Sequence, residues 1–216
     1  MRTLDKQRAF IGFAFTVAMM TFVPATAWSY EGRVVDIDTG KPIEGAYVVA
    51  AWRGSLISPP ERVSVCFHVN VTMTDKEGKF SFSDWSGNFD PLIVNRRMQP
   101  DVFYKAGYYW DLSKPFTTIN NTFVLTPHRG TPEERFEQIN GLRVPTNCEK
   151  PRDGKKLLPL LKEVFAEASA VAASPSQKAA ADKWLFSVEV YEFDFLTASD
   201  RQSERRKKYL ERKRIK

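Results

Sequence analysis

Cysteine and histidine are scarce in this chain: Cys66 and Cys148, and His68 and His128, are all it has of either. They leave one combination for a structural zinc site, Cys2His2, and only the Cys66–His68 half has a suggestive spacing. A Cys66–His68 nucleophile pair lacks any evident loop to stabilise an oxyanion. Gly-x-Ser-x-Gly, Ser-x-x-Lys, His-Glu-x-x-His and the glycine-rich dinucleotide turn are all missing. Beyond the first thirty residues no apolar run is long enough to span a bilayer, and there is no internal repeat. No cysteine precedes Cys66, which argues against a lipid-modified N-terminus. These absences point to a chain without catalytic residues, metal or cofactor.

What the N-terminus does hold is a basic start, "MRTLDKQR", then the apolar run "AFIGFAFTVAMMTFV", then "PATAWSY". Ala25 and Ala27 place small side chains where a signal peptidase requires them. Residues 1–27 therefore read as a secretory signal cleaved between Ala27 and Trp28. The alternative is an uncleaved membrane anchor. Export makes the chain periplasmic or secreted, and an oxidising compartment favours a Cys66–Cys148 disulfide. The net charge of +6 also changes meaning. Without residues 1–27 the chain carries +4, and the tail 201–216 alone carries +7, with nine Lys or Arg against Glu204 and Glu211. Residues 28–200 are thus −3, and the positive charge belongs to the tail.

From Tyr30 to Thr126 the hydrophobic pattern has period two. In "RVSVCFHVNVTMT", Val63, Val65, Phe67, Val69, Val71 and Met73 alternate with polar residues, predicting a strand with one packed and one polar face, Cys66 and His68 together on the latter. "KFSFSDW", "DVFYKAGYYW" and "TTINNTFVLT" add further strands. About seven short strands with frequent turns predict an antiparallel β-sandwich over residues 28–126.

Two glycine clusters punctuate these strands. In "DIDTGKPIEG", Asp36 is placed to accept from nearby amides, Gly40 to take a positive φ, and Pro42 and Gly45 to set the return. The spacing lacks the third ligand and downstream glutamate of a calcium loop. Ala46 stands where a phosphate loop needs Lys-Ser/Thr. A hairpin turn is the expectation. "TDKEGKF", with Asp75 and Gly78, predicts a second tight reversal.

Asp36, Thr39, Gly40, Pro42, Gly45, Thr74, Asp75, Gly78, Phe80, Lys105, Gly107 and Tyr108 together resemble the carboxypeptidase regulatory-like domain over about residues 31–126. The resemblance implies a prealbumin-like sandwich and carries almost nothing about function. The zinc peptidase unit that accompanies this domain in carboxypeptidases has no counterpart in the sequence.

After Pro127 the texture turns helical, predicting an α+β chain whose C-terminal helices, residues 127–200, pack on the sandwich. Thr131-Pro132 with two glutamates is a helix start. Leu157, Leu161, Val164, Phe165 and Ala168 share one helical face, with Pro159 near its beginning. Trp184, Val188, Tyr191 and Phe195 have helical spacing, although Phe186, Val188 and Val190 also suit a strand. Glu189, Glu192 and Asp194 fit a solvated helix face. The similarity of this part to exported bacterial proteins that append helices to such a domain is weaker.

Two features can grip a partner. Aromatics crowd "SDWSGNFDP" and "YYWDLSKP", where Trp85, Tyr109 and Trp110 are candidate ligand-facing rings, with core filling as the competing role. The basic tail suits anionic envelope surfaces, and export disfavours nucleic acid. The sequence thus reads as an exported non-enzymatic envelope protein whose partner is a protein or glycan. A carbohydrate- or peptide-binding protein using the aromatic loops is the alternative, and an unrecognised hydrolase the remoter one.

Overall fold

In "AYVVAAW", Val48, Val49, Ala50 and Ala51 are all fully buried, so the strand they form is covered on both faces. That strand organises the fold. The computed structural model describes residues 29–58, 61–83, 85, 87, 91–110, 121–146, 148 and 155–192. The expected signal segment with its Ala27–Trp28 junction, Phe89, Asp194, Phe195 and the basic tail lie outside them.

Among the described residues there are seven strands: β1 Ser29–Asp36, β2 Tyr47–Ser58, β3 Glu61–Met73, β4 Lys79–Ser83, β5 Ile93–Tyr104, β6 Tyr108–Tyr109 and β7 Thr122–Pro127. They form two sheets, ordered β4-β1-β7-β6 and β3-β2-β5. The expected antiparallel pairing holds with one exception, since β1 and β7 run parallel from Arg33↔Thr122 to Asp36↔Leu125. Among the described residues three helices follow: α1 Pro132–Asn140, α2 Leu158–Val171 after a 3-10 turn at Lys155–Leu157, and α3 Pro175–Glu192. The α+β sandwich with C-terminal helices is therefore present.

The β3-β2-β5 sheet is the middle of three layers. Val48, Ala50, Trp52 and Phe103 face the other sheet, meeting Val34, Phe80, Phe82, Phe123 and Leu125. Tyr47, Val49, Ala51, Val69, Val102 and Tyr104 face the helices, meeting Phe136, Ile139, Leu160, Leu161, Val164, Trp184 and Val188. Each fully buried aliphatic side chain contributes about 1.5–3 kcal/mol relative to an exposed one. The helical layer thus shares its core with the sandwich.

The helix starts follow their sequence signals. Thr131 caps α1 with a full capping box, Glu134 reaching back to its amide. Pro159 sits in the first turn of α2, where its missing N–H costs nothing. Leu157, Leu161, Val164 and Ala168 are buried as expected, and Phe165 is half-buried. The segment around Trp184 is helix rather than strand, with Trp184, Val188 and Tyr191 inward.

The predicted alternation of β3 breaks in the middle. Trp52 pairs with His68 and Arg53 with Cys66, so Phe67 is an extra residue, a β-bulge. The bulge reverses the strand's phase: Val65 and Phe67 pack between the sheets, whereas Val69 and Val71 pack under the helices. Val63 and Met73 end up about half exposed. One apolar row in the sequence serves two cores.

Candidate functional site

Both glycine clusters reverse the chain tightly where expected: the Asp36 amide donates to the Lys41 carbonyl with Val35 bridging Pro42 antiparallel, and the Gly78 amide donates to the Asp75 carbonyl. β1 and β2 belong to different sheets, and so do β3 and β4. The Asp36–Gly45 turn therefore does not join paired neighbours as a β1–β2 hairpin would, and both reversals also carry the chain across the sandwich. Asp36 Oδ1 accepts from the amides of Asp38 and Thr39, both at 2.9 Å, and from the Thr39 hydroxyl at 3.1 Å. The Thr39 amide, with the Thr39 hydroxyl and the Asp38 amide, holds the Asp36 carboxyl below the usual carboxylate range against the opposing effect of desolvation. Asp75 Oδ1 likewise accepts from Glu77 and Lys79 amides.

These crossings meet at one corner. The Val34 amide donates to the Gly78 carbonyl at 2.8 Å, and the Ile43 amide donates back to Val34. The buried Thr74 hydroxyl accepts from Ala46 N at 2.8 Å and donates to Ile43 O at 2.6 Å. Pro42 bridges to Val35, and Lys105 Nζ reaches the Gly45 carbonyl. Gly40 and Gly45 have φ of 67° and Gly78 of 71°. The conspicuous acids and glycines are thus satisfied by the chain's own backbone.

Cys66 and Cys148 form a disulfide, with Cα atoms 4.8 Å apart. It ties β3 to the segment after α1. The bulge sends His68 to the opposite face from Cys66, overturning their shared polar face. His68 is buried between Trp85, stacked at 4.5 Å and 9°, and Trp52, edge-on at 4.8 Å. His128 lies elsewhere, its Nε2 3.1 Å from the Thr131 carbonyl. The Cys2His2 combination is not assembled. Among the described residues no cluster of three or more His, Cys, Asp or Glu is placed to hold a metal.

The aromatic candidates divide. Trp85 is half-buried and packs on Phe67 and His68. Trp110 packs edge-on against Phe103 at 5.0 Å, but together with Tyr109 it also lines an open cleft of about 380 Å³. Tyr104 and Tyr108 complete the β-side of this cleft. Gln138, Ile139, Leu142 and Arg143, from the end of α1 and the turn beyond, form its other wall. Mostly apolar walls with a few polar groups suit a small ligand.

Beneath the cleft lies a cluster that sequence reading missed. Arg135 donates through Nε and Nη2 to the two carboxylate oxygens of Glu167, at 2.8 and 2.7 Å. Tyr104 donates its hydroxyl to Oε2 at 2.7 Å, and the Gly107 amide donates to Oε1 at 2.9 Å. Burial pushes the Glu167 carboxyl up, but Arg135, Tyr104 and Gly107 outweigh it and leave the group below its ordinary range. Burial, and then the bond to Glu167, push the Tyr104 hydroxyl strongly up. With four donors on one carboxylate, the cluster locks α1, α2 and the β5–β6 turn together. Its only trace in the sequence is a helix-face arginine and a helix-face glutamate, which resemble ordinary solvated charges.

No family model matches this chain, and neither a curated protein nor a solved structure does.

Proposed function

We propose that this chain is an exported, non-catalytic envelope protein, periplasmic or secreted, whose carboxypeptidase regulatory-like, prealbumin-like sandwich and helical layer act as an interaction module. The observation that carries this reading is the corner where Asp36, Thr74, Asp75 and Gly78 spend their hydrogen bonds on their own backbone. Residues with the look of a site are there the joinery between two sheets. The Cys66–Cys148 bond agrees with an oxidising compartment. Its partner is an envelope protein or glycan, and the basic tail contacts anionic envelope surfaces. The test is fractionation of cells making the full chain, with intact-mass analysis under reducing and non-reducing conditions. The expected product begins at Trp28, is oxidised and lies in the exported fraction. A cytoplasmic product beginning at Met1 with two free thiols sinks the reading.

The cleft favours a second reading, a carbohydrate- or peptide-binding protein. Tyr109 and Trp110 offer ring faces, while Gln138 and Arg143 offer hydrogen bonds. Titration with N-acetylglucosamine oligomers and with short peptides, followed by tryptophan fluorescence, tests it. A response lost in Trp110→Ala supports the cleft; no response, or one unchanged by that substitution, removes it.

A further inference from the structure

A second hollow, of about 460 Å³, lies beside the cleft that Tyr109 and Trp110 border. Asp38, Thr126, His128, Arg129 and Glu134 line it, and it shares Tyr109 and Gln138 with the cleft. These two side chains, one from β6 and one from α1, are half-buried and form a low ridge between the hollows. The hollows differ in character. Rings and aliphatic groups from Tyr108, Trp110, Ile139 and Leu142 dominate the cleft, whereas the second hollow is walled by hydrogen-bonding groups.

Those groups both donate and accept. Arg129 Nη2 donates to Asp38 Oδ2 at 2.6 Å, which leaves Asp38 Oδ1 to accept and the other guanidinium N–H groups to donate. His128 Nε2 faces the Thr131 carbonyl at 3.1 Å and must donate to it, so Nδ1 of the neutral ring accepts. The Thr126 hydroxyl does both. Sugar hydroxyls match such a wall, because each of them also donates and accepts, and the C–H face of a sugar ring packs on aromatic side chains. The charges around the two hollows favour no ionic ligand. Arg129 is set against Asp38, Arg135 against Glu167 and Arg53 against Asp101, while Glu134 accepts from the Thr131 amide. Glu137 and Arg143 bring one further charge of each sign to the cleft.

An extended peptide would instead pair its main chain with the strand at the ridge. β6 is the last strand of its sheet, but its edge is already used at Tyr108. There the amide donates to the Lys105 carbonyl at 2.9 Å and the carbonyl accepts from Arg135 Nη1. Gly107 is used as well, its carbonyl by the His128 amide and its amide by Glu167. Strand addition at β6 is closed.

We propose that the two hollows are adjoining subsites for one neutral oligosaccharide. It stacks one sugar ring on Tyr109 and Trp110 and crosses the ridge, bringing the hydroxyls of a further unit to Asp38, Arg129 and His128. The inference rests on the second reading above, the ligand-binding cleft, and narrows it to a glycan of more than one unit.

The test is calorimetric titration of the full, oxidised chain with β-1,4-linked N-acetylglucosamine oligomers of increasing length and with short peptides. Affinity should rise about tenfold or more between the dimer and the tetramer, because linked units then occupy both hollows. Asp38→Ala with Arg129→Ala removes only an exposed ion pair and leaves the fold intact. That double substitution should bring the tetramer down to the affinity of the dimer, whereas Trp110→Ala should weaken every length. A response that does not grow with length, or a gain that survives the loss of Asp38 and Arg129, overturns the inference and leaves the cleft reading standing. So does a preference for the peptides. Silence towards both probes removes the cleft reading, and the inference falls with it.

Discussion

Arg135 and Glu167, thirty-two residues apart, form a two-pronged ion pair in which the arginine side chain is 5% and the glutamate 14% exposed. The pair and its hydrogen bonds to Tyr104 and the Gly107 amide join α1, α2 and the β5–β6 turn at a single point. Removing one partner strands the other as a buried charge, which typically costs about 3–5 kcal/mol. Glu167→Ala and Arg135→Met should each lose stability of that order in denaturant titration. The double substitution should cost less than the two singles summed, because it strands no charge. Strict additivity would mean that the pair is not coupled.

The same carboxylate fixes the direction of the acid response. Glu167 and Asp36 both titrate lower in the folded state than their ordinary values of 4.5 and 3.8. The unfolded chain therefore binds their protons first. Their contribution is fully present above those ordinary values and fades as pH falls through the folded ones. Stability should be level near neutrality and decline below about pH 4.5. Glu167→Gln should flatten the upper part of that decline in melts recorded across pH. An unchanged profile would remove Glu167 from the account.

The glycines of the corner offer a paired test. Gly40 and Gly78 have nearly the same φ, 67° and 71°, but a Cβ at Gly40 meets nothing within 4 Å while one at Gly78 lies 2.4 Å from the Val34 carbonyl. Gly40→Ala should cost only the left-handed strain of about 1–2 kcal/mol. Gly78→Ala should cost clearly more, because the two crossings must separate. Equal losses in thermal melts would show that backbone strain alone matters and that the corner yields freely.

Reduction of Cys66–Cys148 tests the staple between β3 and the segment after α1. With its ends 82 positions apart in the sequence, the bridge should contribute about 4 kcal/mol by restricting the unfolded chain. Cys66→Ser with Cys148→Ser should lower the denaturant midpoint accordingly, and added reductant should bring the parent close to the same midpoint. A parent indifferent to reductant would mean that the bond contributes nothing.

Local chemistry was legible from the residues. Period two and turn residues marked the strands of the sandwich, Thr131-Pro132 marked the start of α1, and Asp36, Asp75 and the glycines marked the bends. Such signals act over a few positions, where the chain's own geometry leaves little choice. Which strands pair, and across which face, is a long-range matter. Hence the two bends turned out to join separate sheets, β1 and β7 to run parallel, and the bulge at Phe67 to divide one hydrophobic row between two cores. Arg135 and Glu167 were invisible for the same reason, since a helix-face charge reads alike whether it meets water or a partner thirty-two residues away. Only the packing of helices on the middle sheet, which excludes water from both faces of β2, decided that these two charges must find each other.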